Sequence, residues 1–219
     1  MHCLKNIFVL LLVSIPFLVK AQDIKFNTTY QGYELALNSA YTYEENPTTF
    51  SIFKFYISDV VLLHKGKVVY QPKERFHLID FANPASQTIT IDSKKRIKFD
   101  AIQFNLGIDS ATNYAGAQDG ALDPINGMYW TWQSGYINFK FEGHLDMDFN
   151  YHLGGFQQPN YAMQKVDLSF KKTKHIDINF EIESFLKSID FENISTVMSP
   201  GINGNALSKA AANNFKVKR

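Results

Sequence analysis

The stretch HIDINFEIE alternates without interruption: Ile176, Ile178, Phe180 and Ile182 stand against Asp177, Asn179 and Glu181. Successive side chains on an extended chain point to opposite faces, so this period fits a strand with one face in a core and one in water. It predicts a half-buried antiparallel strand. The same grammar recurs along the chain. TFSIFKFYISDVVLLH is dense in aromatic and β-branched residues and leads through KGK into VVYQ, which predicts a hairpin. DIKFNTTY, RFHLIDF, QTITID, IKFDAIQFNLGID and YINFKFEG read as further strands. Many short strands between turn signals predict an all-β fold, an antiparallel β-sandwich of immunoglobulin-like kind. Its inward positions are so often aromatic that the core accounts for most of the 19 Phe and 11 Tyr.

Two segments break the pattern. GIDSATNYAGAQDGALDPINGM is a long loop rich in Gly, Asp and Asn, and such loops are usually functional or ordered by a ligand. GNALSKAAANNF is a run of helix formers that predicts a short C-terminal helix, with Asn205 as N-cap.

Residues 1–21 have the layout of a secretory signal peptide. Lys5 precedes an apolar stretch broken only by Ser14 and Pro16, and Val19 and Ala21 are the small residues before a cleavage near Ala21. The stretch is short of the roughly 20 residues a membrane span needs. Cys3 lies ahead of it, which is not a lipoprotein arrangement. The expected organisation is a signal peptide over 1–21 and a single domain over 22–219, periplasmic or secreted and not membrane-embedded. Cleavage removes the only cysteine and, with Lys5 and Lys20, leaves 20 basic against 21 acidic residues. That balance gives no footprint for nucleic acid or an anionic membrane. An exported chain without cysteine fits a bacterial periplasm.

Five histidines follow the leader: His64, His77, His144, His152 and His175. His64 abuts the KGK turn and His175 follows KKTK, so both read as solvated. In EGHLDMDFNYHLGG, an extended chain puts Glu142, His144, Asp146, Asp148, Asn150 and His152 on one face. His144 and His152 would then stand about 27 Å apart at roughly 3.4 Å per residue, too far to share a metal unless the chain turns at LDMD. The simpler reading is a polar outer face. His77 sits among apolar neighbours in RFHLIDF and reads as a half-buried structural histidine.

Asp109, Asn113, Asp119 and Asp123 are hard oxygen donors that suit calcium, although their spacing is not that of an EF-hand. In a turn-rich loop, Asp and Asn more often bond their own backbone. Both tryptophans fall in GMYWTWQSGYINFKFEG, where period two puts Trp130 and Trp132 on one face as core packing. The sequence has no Gly-x-Ser-x-Gly, no HExxH and no phosphate-binding Gly loop before a helix, so it predicts a binding protein rather than an enzyme.

Several stretches together resemble the MbnP family of exported bacterial β-sandwich proteins linked to copper handling. They are FKFYISDVVL, FHLIDF, IQFNLGIDSATNYAGAQDGALDPINGMYWTWQSGYINFKFEG, YHLGG and VMSPG, in that order and across nearly all of the chain beyond the leader. The long central stretch is the specific one. The resemblance implies a single copper ion held by two imidazoles and by a tryptophan oxidised to kynurenine. The oxidation is attributed to a partner, a MauG/MbnH-like dihaem cytochrome c peroxidase-type protein. On the matching motifs the implied ligands are His77 and His152, and the candidate kynurenine precursor is Trp130 or Trp132. The competing expectation is a metal-independent β-sandwich binding module for a surface polymer or partner protein, recognising it through the loop from Asp109 to Met128.

Overall fold

The computed structural model describes residues 22–93, 95–171, 175–191 and 193–218, and the expected leader lies outside them. In chain order the strands are β1 (Gln22–Tyr30), β2 (Tyr33–Glu34), β3 (Tyr41–Tyr43), β4 (Asn46–His64), β5 (Lys67–Tyr70), β6 (Phe76–Asp80), β7 (Thr88–Ile91) and β8 (Ala101–Leu106). There follow β9 (Tyr129–Trp130), β10 (Gly135–Leu145), β11 (Met147–Gly154), β12 (Gln164–Ser169), β13 (Ile176–Glu181), β14 (Thr196–Val197) and β15 (Phe215–Val217). The α-helices are α1 (Ser110–Tyr114), α2 (Ile182–Leu186) and α3 (Ile202–Asn213). The smaller sheet runs β15–β13–β1–β2, with β7 also on β1. The larger runs β12–β8–β4–β10–β11–β14, with β3, β5 and β6 on β4 and β9 on β10.

The fold is the expected all-β sandwich, and its sheets are mixed. HIDINFEIE buries Ile176, Ile178 and Phe180 as its alternation requires. The strand runs parallel to β1, with Ile24 opposite Ile176, and antiparallel only to β15. Alternation records which face is buried and carries no information on a partner's direction. The KGK hairpin forms: His64 pairs with Lys67, and Lys65 and Gly66 both take positive φ, the two-residue turn whose twist suits a hairpin. The C-terminal helix forms too, but it starts earlier than its composition suggests. Gly201 is the N-cap without any side-chain bond, and Asn205 lies inside the helix, where its Nδ2 donates to the Pro159 carbonyl at 3.0 Å.

Between the sheets lies a phenylalanine interior. The Phe53 ring has those of Phe55, Phe81, Phe139, Phe141 and Phe180 at centroid distances of 4.9–5.4 Å. Most of these pairs are edge-on or tilted, as ring quadrupoles prefer. Phe180 belongs to the smaller sheet, so Phe53 ties the two sheets together.

β4 is the organising strand. One of its edges is used by β3, β6 and β5. At Lys54 and Phe55 the strand opposite β6 is β10, while at Ile57 and Ser58 it is β8. β10 and β8 therefore share a single edge, end to end, and the handover falls at Tyr56. Beyond it Asp59 takes a positive φ and the register slips between Ser58 and Val61. The Asp59 carboxylate accepts from Arg75 Nε at 2.7 Å and from Asn105 Nδ2 at 3.0 Å, which fixes this bulge.

Phe53→Ala should lower stability by about 3–5 kcal/mol through lost burial and a residual cavity. Val68→Ala, at an exposed position of β5, should change it by less than about 0.5 kcal/mol. Urea unfolding of the two variants checks both values.

Candidate functional site

Residues 107–134 join the two strands that meet on the edge of β4, and they fold back over the outer face of the larger sheet. There Tyr56, Ile108, Leu122, Met128, Trp130, Tyr136 and Ile137 make a second buried cluster, separate from the phenylalanine interior. The loop begins where Gly107 donates to the Tyr56 carbonyl at 2.8 Å and its own carbonyl accepts from Ser58 Oγ at 2.7 Å. Gly107 has φ +111, and a Cβ there would collide with the Asn138 side chain. That close approach lets Asn138 Oδ1 accept the Ile108 N–H at 3.0 Å. Further along, Tyr56 donates to the Ala121 carbonyl at 3.0 Å. Burial pushes the Tyr56 hydroxyl well above the usual phenol range, so it remains a donor.

Three of the four candidate oxygen donors of this loop, Asp109, Asn113 and Asp123, hold local structure, whereas Asp119 makes no side-chain cap bond. Asp109 caps α1, accepting from Thr112 N at 3.0 Å and Thr112 Oγ1 at 2.7 Å, and it pairs with Arg75 at 3.0 Å. Burial works against its charge, but the Thr112 bonds and Arg75 outweigh it and hold the carboxyl below its usual range. Asn113 is buried and donates to the Ile108 and Asp109 carbonyls while accepting from Tyr136 N at 2.8 Å. Asp119 and Asp123 precede the two 3-10 turns Gly120–Leu122 and Pro124–Asn126, and Asp123 accepts from Ile125 N at 2.9 Å. Among the described residues, no three His, Cys, Asp or Glu side chains gather anywhere as a metal site.

The tryptophans do not share a strand face. β9 ends at Trp130, the chain turns over residues 131–134, and the Trp130 ring is buried while Trp132 is 65% exposed. Their ring centroids lie 6.2 Å apart. A turn too short to show in the alternation separates them. Trp130 lies directly on Gly154, where a Cβ would come within 2.6 Å of the ring. Its buried Nε1 has no hydrogen-bond partner.

His152 is two residues before Gly154 on β11, hence on the same face and roughly 7 Å along the strand. It is buried, opposite Lys140, and its Nε2 lies 2.7 Å from Glu142 Oε1. Lys140 Nζ reaches the same oxygen at 3.3 Å. Burial holds the imidazole below its usual 6.5, against the opposing bond from Glu142. The Trp130 seat at Gly154 and the His152–Glu142 pair thus lie on one face of β11, two residues apart along the strand.

His77 is elsewhere. It pairs with Ile57, a residue of the phenylalanine interior, whereas the row His152–Lys140–Lys54–Asp80 runs across the opposite face. The two implied ligands are therefore on opposite faces of the larger sheet, with β4 and β10 between their strands. Burial also depresses His77, with the Glu74 carbonyl opposing, and its Nε2 is buried without a partner. The chain does turn at LDMD: Asp146 has φ +53 and joins β10 to β11. This sets His144 against Asp148 at 2.8 Å, four pairs from His152. His64 lies 3.1 Å from Asp100, and His175 is exposed.

Sequence reasoning left Glu142 among outer-face polar residues. Its link to His152 follows from the hairpin register, which becomes readable once the turn at Asp146 is placed. The role of Gly154 as a seat for Trp130 has no local sequence signal.

A family model described as MbnP matches residues 20–199. Among solved structures, MbnP from Methylosinus trichosporium is similar, with a TM-score of 0.58 at 13% sequence identity, covering 84% of this chain and 82% of that one. At that identity the likeness is one of fold. Comparison with curated proteins gives no match.

Two outcomes follow from this geometry. Because His77 and His152 are both depressed from 6.5, the unfolded chain takes up protons that the fold resists. Their contribution is complete above about pH 6.5 and is lost as the pH falls through their folded values. Thermal melts across this range should show the loss, and His77→Gln with His152→Gln should flatten it. Asn113→Ala should destabilise by about 2–3 kcal/mol, since it leaves buried backbone groups unpaired; denaturant titration measures this.

Proposed function

The chain belongs to the MbnP family, and from that premise we propose that it is an exported copper-binding protein, not an enzyme, whose centre lies at His152, Glu142 and Trp130. One observation carries this: a buried indole with an unbonded N–H rests on Gly154, two residues from a buried imidazole bonded to Glu142. Neutral imidazole and carboxylate are donors that copper accepts. Protein carboxylates, thiols and imidazoles do not reach three together among the described residues. A third donor must come from another kind of group, and the aniline-type nitrogen of kynurenine is such a group.

In this reading Trp130 is the residue oxidised, by a partner of the MauG/MbnH-like dihaem type. Burial shields its product from water, and the missing Cβ at Gly154 gives the ring its space. Glu142 orients His152 through Nε2 and offers a carboxylate beside it. Copper held there is cargo or store, and the bound ion is itself what the site delivers. His77 takes no part.

Protein co-produced with such a partner, then dialysed and titrated with Cu(I) and Cu(II), should take up stoichiometric copper. His152→Ala should weaken binding by at least about 10–100-fold and Glu142→Gln by a similar factor, with His77→Ala unchanged. Peptide mass analysis should find a gain of oxygen with loss of carbon at Trp130, absent in Trp130→Phe. No stoichiometric uptake, or equal affinity in His152→Ala, would overturn the assignment.

A further inference from the structure

Next to the Trp130 seat, and independent of copper, lies a second concavity. A cavity of about 300 Å³ is lined by Gln133, Gly155, Phe156, Gln157, Gln158, Asn160 and Pro200. It is of the lower size that small-molecule sites occupy. Four of its lining side chains are carboxamides and none is ionisable. Among the described residues, no hydrogen bond ties any of these four amide groups to the rest of the protein.

The backbone that carries three of them, Gln157, Gln158 and Asn160, is fixed. Gly155 takes φ +130, and its carbonyl accepts from Ala162 N at 2.9 Å, which closes residues 155–162 into a loop. Ser110 Oγ donates to the Phe156 carbonyl at 2.6 Å, and Asn205 Nδ2 to that of Pro159 at 3.0 Å. Free amides on a pinned loop lose little further freedom when a ligand arrives.

Two exposed rings adjoin lining residues, Trp132 through the chain and Tyr114 through a ring contact. Trp132, the residue before Gln133, is 65% exposed, and Tyr114, 68% exposed, meets Phe156 edge-on at 5.0 Å. A carboxamide offers two donors and an acceptor with two lone pairs, which matches hydroxyl groups that both donate and accept. The lining has no charged side chain to pair with a phosphate, carboxylate or ammonium group. Flat rings beside uncharged amides suit a ligand with apolar C–H faces and hydroxyl edges. We propose that this cavity, with Trp132 at its side, binds a neutral saccharide.

The full chain supplies its own reporter. The only tryptophans are Trp132 and the buried Trp130. Neutral trisaccharides of glucose, mannose and N-acetylglucosamine, titrated to about 1 mM, should blue-shift and quench the emission for at least one of them. A charged uronic-acid trisaccharide should leave it unchanged. Trp132→Ala and Gln157→Ala, both exposed and expected to melt like the wild type, should each weaken binding about tenfold by calorimetry. The proposal is overturned if no neutral trisaccharide binds, if both variants bind as tightly as the wild type, or if the uronic-acid trisaccharide binds best. It is also overturned if an unstructured peptide mixture, and no sugar, shifts the emission. His152→Ala should keep full sugar binding, so this test and the copper test fail separately.

Discussion

A strand edge offers one row of donors and acceptors, and β4 divides its row between two neighbours that arrive end to end. Where β10 stops and β8 starts, backbone groups would be left without partners, at a cost comparable to a lost hydrogen bond each. Asn138 and Gly107 meet that need. The glycine has no side chain to keep the strands apart, and the asparagine carbonyl oxygen takes up the Ile108 N–H in the gap. Everything outside the phenylalanine interior is referred to this joint. It starts the long loop, directs it over the outer face of the sheet, and so leads towards the place where Trp130 rests on Gly154.

The phenylalanine interior was legible in the sequence because burial and alternation are local properties of each strand. The pairing partners were not. Ile176 and Ile24 lie far apart in the chain, and nothing in either segment states that they run in the same direction. The turn after Trp130 was hidden for a related reason: WTWQ has the composition of a strand, and only the backbone shows that Trp132 leaves the sheet. His77 and His152 each sit in a family motif. Motifs along a chain do not record which face of a sheet their residues occupy, and here β4 and β10 lie between the two strands.

The loop Asp and Asn residues illustrate how one side-chain chemistry serves two ends. A carboxylate that can ligate a cation can equally cap a turn, and Asp109, Asn113 and Asp123 are satisfied by backbone and hydroxyl donors. Their bonds tie the loop to itself and to β10 at Tyr136. That anchoring bears on both concavities described above, since the Trp130 seat and the amide-lined cavity are bounded by adjacent residues, Gly154 and Gly155.

The parallel pairing of β1 with β13 has a consequence for how the chain acquires its fold. β1 finds its long partner only after Ile176–Glu181 has been made, and β15 completes that sheet at Phe215–Val217. Contacts so distant in sequence are entropically slow to form. A nascent chain therefore cannot close its smaller sheet while most of its length is still unsynthesised. Until then β1 has only β2 and β7 as partners, both on its other edge, so the edge that β13 will take is left as an unpaired row of backbone donors and acceptors.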